Sequence, residues 1–307
     1  MIHNSKLGYD KPLFILAFDH RASFQKKMFG ITGEPSSEQV KEIISFKQVI
    51  YEGFKQGVAN GVPKNEAAIL VDEQFGDAIL RDAVANGFTA CVGTEKSGQD
   101  EFDFQYGRDE FAAHIEKYKT QIVKVLIRYN PESDPGMNAR QRGRLKILSD
   151  WCHANGYKFL TEPLIPASES QLASVGGDAK RYDSETRPML MVKMIEELQG
   201  DGVEPDIWKI EGLEDTSHYE EVMKQARSGD RDKVAAVVLG RGADAAQVEK
   251  WLRAGAKVEG LVGFAIGRTI FWDPLVAMKD GKMSRGEAVK QIATNYKHFY
   301  EVFKKAK

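Results

Sequence analysis

Eight short apolar runs rich in β-branched and aromatic residues recur along the 307-residue chain, at 13–19, 68–72, 89–94, 122–130, 158–165, 207–212, 234–240 and 260–267. Between them lie segments with the apolar spacing of amphipathic helices, among them 37–56, 138–154, 184–198 and 245–253. Sustained strand–helix alternation means parallel strands joined by right-handed crossovers. Eight repeats over nearly the whole chain suit a closed (β/α)8 TIM barrel better than the alternative, an open doubly wound sheet. No Pro/Gly-rich linker divides the sequence, so 1–307 reads as one barrel domain, and the glycine-rich stretch 175–178 reads as a loop after the fifth strand. An additional C-terminal helix, 284–305, is expected to cover the outside of the barrel or to join a homo-oligomer interface.

Charge and composition exclude several functions. Lys plus Arg number 43 and Asp plus Glu 45, a formal net charge of -2, so no overall basic field exists to hold nucleic acid or an anionic membrane. With 42% hydrophobic residues the chain has material for a large core, yet no run of about 18 apolar residues occurs. Residues 1–11 lack the apolar stretch of a secretory signal. Cys91 and Cys152 fall in different elements without a Cys-x-x-Cys pattern, which argues against disulfides or structural zinc. A cytoplasmic protein is the expectation.

Side-chain alternation then assigns faces to the charged residues in the strands. On the sixth run Trp208 and Ile210 share one face, while Ile207, Lys209 and Glu211 share the other. The apolar pair should meet the helix layer, so Lys209 points into the barrel. On the fourth run Val123, Val125 and Ile127 face out and Lys124, Leu126 and Arg128 face in. On the fifth, Phe159 faces out and Leu160, Glu162 and Leu164 face in. On the first, Ile15, Ala17 and Asp19 face in, with His20 and Arg21 just beyond. Active sites of such barrels form where the C-terminal strand ends meet. Uncompensated burial of an ion costs several kcal/mol, so a Lys124, Glu162, Lys209 cluster points to function.

The chemistry of such a cluster is amine catalysis. A lysine attacks a carbonyl only as the neutral amine, which a neighbouring cation and partial desolvation favour. Lys124 is the expected source of that repulsion on Lys209, and Glu162 the expected carrier of protons. At the seventh run, Gly240, Arg241 and Gly242 form a glycine-cleared turn into a helix, and the eighth ends in Gly267 and Arg268 before another. Free backbone N–H groups at such turns, with two arginines, make a candidate phosphate site. The dinucleotide fingerprint is not completed, since Ala245 stands at its third glycine, and its position in the last quarter of the chain argues against a Rossmann start. His3, His20, His114, His153, His218 and His298 are scattered without a metal-binding pair, which disfavours a metal-dependent enzyme. No cofactor or metal is expected; His20 alone lies near the expected active face.

These residues also carry a resemblance. The blocks 16–21 (LAFDHR), 69–72 (ILVD), 94–98 (TEKSG), 123–129 (VKVLIRY), 159–162 (FLTE), 208–211 (WKIE) and 263–268 (GFAIGR) resemble class I tagatose 1,6-bisphosphate aldolases and the related sulfofructose-phosphate aldolases. They are more similar still to the aldolase-like domain fused behind the kinase of bacterial inositol catabolism. The resemblance implies a Schiff-base role for Lys209, proton transfer by Glu162, substrate contacts from Asp19, Arg21 and Lys124, and phosphate near Arg268. Lys96 and Arg128, inside matching blocks, join the candidate substrate contacts. Leu239-Gly-Arg-Gly242 replaces the Leu-Ser-x-Gly of those aldolases, with Arg241 in place of a serine contact, and His20 replaces a glutamine.

The implied reaction is cleavage of 2-deoxy-5-keto-D-gluconate 6-phosphate to dihydroxyacetone phosphate and malonate semialdehyde. The expected partner is therefore a small phosphorylated ketose or keto acid, whose carboxylate end would meet Arg21 or Arg128. Cleavage of a tagatose bisphosphate or sulfofructose phosphate, and a non-catalytic sugar-phosphate sensor or kinase-partner module, are the alternatives.

Overall fold

The computed structural model describes residues 7–307; His3 lies outside them. Eight parallel strands close into a barrel in the order β1 to β8. They are β1 (Leu13–Ala17), β2 (Ala67–Val71), β3 (Thr89–Gly93), β4 (Ile122–Arg128), β5 (Lys158–Leu164), β6 (Ile207–Glu211), β7 (Ala235–Leu239) and β8 (Leu261–Ile266). Each coincides with one of the eight apolar runs. Most end one or two residues earlier than the sequence pattern, because residues such as Asp19, Thr94 and Asn130 already turn away into the loops that carry polar side chains.

A short turn, α1 (Ala22–Phe24), follows β1 and leads to α2 (Ser37–Ala59); α3 (Glu73–Ala85), α4 (Phe111–Glu116) and α5 (Pro135–Ala154) follow the next three strands. The β5 crossover holds α6 (Glu169–Ser174), α7 (Ala179–Arg181), a π-helical turn at Tyr182–Thr186, and α8 (Arg187–Gly200). Then come α9 (Thr216–Ala226), α10 (Ala245–Gly255), α11 (Arg268–Lys279) and α12 (Arg285–Ala306). Starts are set by capping residues. Ser36 and Ser284 form capping boxes with Gln39 and Glu287, and Asp72, Asp134 and Asp244 accept backbone N–H groups of the first turns. The final helix covers the outside of the barrel, against α2, α10 and α11, where the Tyr296 hydroxyl donates to the Phe14 carbonyl at 2.6 Å.

Two apolar assemblies result. Outward strand residues, including Val123, Val125, Phe159, Trp208 and Ile210, join the helices in the large outer core. Inside the barrel a smaller cluster, with Ile15, Leu70, Cys91, Ile122, Leu160, Ile207 and Val237, fills the floor, with Tyr9 packed against it. Below that floor, at the N-terminal ends of the strands, Asp206 is fully buried. It accepts the Gly8 and Phe159 N–H groups at 2.8 Å each and pairs with Lys158 at 2.9 Å. The opposite end of the barrel carries the interior charges. No helix of the described residues is long and apolar enough to cross a membrane.

Candidate active site

Strand register brings the interior charges together. Leu160 lies beside Ile207 and Thr161 beside Trp208, so one residue further on Glu162 of β5 reaches Lys209 of β6. Their atoms meet as an ion pair, Lys209 Nζ to Glu162 Oε2 at 2.8 Å, and the same oxygen lies 3.0 Å from Lys124 Nζ. Lys124 Nζ also donates to Asp19 Oδ2 at 2.7 Å and to Glu95 Oε1 at 2.9 Å. Two amines and three carboxylates thus share one layer, all buried.

The Lys124 charge is therefore answered by three carboxylates. Its charge acts on the acids. Burial alone would push the Asp19 and Glu162 carboxyls up, but Lys124 and Lys209 outweigh it and hold both below the usual carboxylate range. Burial likewise disfavours the Lys124 cation, yet Asp19, Glu162 and Glu95 outweigh it and raise its pKa well above that of an ordinary lysine.

Glu95 was not among the candidates from sequence. It follows β3 in a loop that folds back through an antiparallel bridge between Glu95 and Phe104, and nothing periodic marks it as inward. Its Oε2 accepts the Leu126 N–H at 3.2 Å. Arg21 braces this loop by donating to the Glu95 carbonyl and, at 2.8 Å, to Gln105 Oε1. Its side chain is buried, so its first task is structural.

On the other side of the mouth, the turn after β7 and the start of α11 meet. Arg241 pairs with Asp183 at 2.7 Å and Glu211 at 3.0 Å. Burial alone would lower its pKa, but these acids raise it. Arg268 has no carboxylate partner among the described residues; it donates to the Arg241 carbonyl at 3.2 Å, and burial lowers its pKa. Gly242, at φ 73°, leaves space for it: a Cβ there would stand 2.7 Å from Arg268 Cζ. An arginine placed at a helix N-terminus, without a paired carboxylate among the described residues, suits an anion.

The two amines, the three carboxylates, Arg21, Arg241 and Arg268 border one cavity of about 300 Å³ at the C-terminal mouth. The expected residues Asp19, Arg21, Lys96, Lys124, Arg128, Glu162, Lys209, Arg241, Gly242, Gly267 and Arg268 line it, and Gly240 does not. Gly240 sits behind, where an added Cβ would press on Ile266 at 3.1 Å. Arg128 donates to the Gln99 carbonyl at 2.6 Å, and Lys96 is exposed on the rim. Among the described residues no group of three or more His, Cys, Asp or Glu side chains is arranged to hold a metal.

A closed barrel of eight parallel strands alternating with helices is a (β/α)8 TIM barrel. Solved structures agree in fold. A fructose-bisphosphate aldolase from Plasmodium falciparum superposes with a TM-score of 0.67 at 14% identity, covering 98% of this chain and 92% of that one. An archaeal fructose 1,6-bisphosphate aldolase gives 0.55 at 13%, over 95% and 93%. A Corynebacterium glutamicum protein gives 0.56 at 17%, over 95% and 88%. No curated protein matches the sequence. Residues 3–307 match the family model described as an uncharacterized protein conserved in bacteria, DUF2090, and the chain belongs to that family.

Proposed function

We propose that the protein is a Schiff-base aldolase acting on a phosphorylated keto-sugar acid, with Lys209 as nucleophile. The observation that carries this reading is the buried Lys209–Glu162 pair at 2.8 Å, open to a cavity that Arg268 also lines. Lys209 gives a proton to Glu162 and adds to the ketone carbon; Glu162 returns that proton to the carbinolamine hydroxyl, which leaves as water, and an iminium remains. A carboxylate, Glu162 or Asp19, then takes the proton of the hydroxyl on the β carbon. The bond between the α and β carbons breaks, an aldehyde leaves, and the electron pair rests in an enamine. Protonation of that carbon and addition of water free the phosphorylated ketone and regenerate the amine. Lys124 favours the ionised form of both acids between proton transfers, and Arg268 holds the phosphate.

The preferred substrate is 2-deoxy-5-keto-D-gluconate 6-phosphate, giving dihydroxyacetone phosphate and malonate semialdehyde. Its phosphate lies one carbon from the ketone, which matches an arginine beside the amine pocket, and its carboxylate end suits Arg128 and Lys96. Product analysis with this compound, tagatose 1,6-bisphosphate and sulfofructose phosphate tests the assignment. Cleavage of the first in preference to the others is expected, with none by Lys209→Ala. Preference for either of the others overturns the substrate. Equal turnover by Lys209→Ala and the unmodified protein overturns the mechanism.

A further inference from the structure

His20 has no place in the steps above, yet it borders the same cavity. Its ring is fixed by packing. It lies edge-on to Phe271 with centroids 6.2 Å apart, and Gly267 gives it room. A Cβ on Gly267 would collide with the Ala17 carbonyl and stand 3.1 Å from His20 Cε1. Among the described residues no hydrogen bond holds the ring, and Nδ1 is shielded from solvent without a partner. A polar ring held by apolar contacts, with its hydrogen-bonding capacity unspent beside an ionic site, calls for an explanation.

Charge decides what kind of group it would meet. The ions around it are Asp19, Arg268, Lys209 and Glu162. Burial is the largest influence and lowers the imidazole to about 4, against the pull of Asp19, so the ring is neutral at pH 7. A neutral imidazole is a poor holder of a phosphate or carboxylate where Arg268 stands free, and a good one for a hydroxyl, to which it either donates or accepts.

We propose that His20 holds a hydroxyl on the carbon next to the imine carbon, which makes α-hydroxylated keto phosphates the substrate class. The assignment rests on the Schiff-base reading of Lys209. It makes His20 a specificity residue, poised beside the carbon whose bond breaks.

Borohydride trapping of two ketones at subsaturating concentration tests it: dihydroxyacetone phosphate, which has the hydroxyl, and hydroxyacetone phosphate, which lacks it. One hydrogen bond predicts a preference of roughly 3- to 10-fold for dihydroxyacetone phosphate in the unmodified protein. His20→Phe, which keeps the packing on Phe271, should lose that preference, read as the ratio of the two trapping rates. His20→Gln should retain part of it. An unchanged preference in His20→Phe, or none in the unmodified protein, overturns the role of His20 and leaves Lys209 standing. Failure to trap either ketone overturns the Schiff-base reading and the inference with it.

Discussion

Lys209 and Glu162 were legible at the scale of single residues because alternation along a strand is a strong rule when one face is uniformly apolar. Glu95 was not, since it lies past the end of β3 on a loop whose return path is set by its bridge to Phe104. The acid pair gives two predictions here. Glu162→Gln keeps the size of the side chain but removes the proton acceptor, so kcat should fall by roughly 10²- to 10⁴-fold, read in steady-state kinetics. Lys124→Met leaves Asp19, Glu95 and Glu162 crowded without their shared cation, and should destabilise by about 3–5 kcal/mol. The sign of its pH dependence follows from the acids. Asp19 and Glu162 have depressed pKa values in the fold, so their contribution is present above about pH 4 and is lost as pH falls through the folded values. Urea unfolding from pH 6 down to pH 2 should show a steep loss for the unmodified protein and a shallower one for Lys124→Met. Parallel curves would contradict the ionic account.

Among the secondary-structure elements, strands and long helices could be read because their apolar periods are long and their caps explicit. The β5 crossover could not: the segment around 184–198 reads as one helix, whereas the chain forms a π-helical turn at Tyr182–Thr186 before α8 begins. Asp183 in that turn pairs with Arg187 at 3.1 Å and with Arg241 at 2.7 Å. The first pair spans one helical turn, but the second joins residues distant in sequence, and no local pattern announces it. A second tertiary tie concerns α2. Lys47, completely buried, pairs with Asp72 at the start of α3 and donates to the Phe18 carbonyl at 2.9 Å, just before Asp19. It thus fixes the end of β1 against two helices. Lys47→Met should cost about 3–5 kcal/mol by stranding the Asp72 carboxylate, and should lower kcat through Asp19 as well. Lys47→Met/Asp72→Asn, which removes the stranded charge but keeps an oxygen to cap α3, should recover part of the stability in denaturant unfolding. If the double variant is no better than the single one, the pair does not act as a unit.

For the molecule as a whole, the barrel separates stability from chemistry. The N-terminal end is closed by the apolar floor and by Asp206, which is bonded to the backbone on both sides, while the C-terminal end gathers the ions around a cavity of about 300 Å³. The eightfold rhythm of the sequence specified this division, since strand direction decides which end each loop occupies. It could not specify which basic residue stays free: Arg241 and Arg268 look alike in their glycine-rich turns, and only the fold gives Arg241 two acids and Arg268 none among the described residues. The central claim is a covalent bond at one amine. Reduction with borohydride in the presence of dihydroxyacetone phosphate, followed by peptide mass spectrometry, should place a single adduct on Lys209 and none in Lys209→Ala. An adduct on Lys124 or another lysine, or none at all, would contradict it.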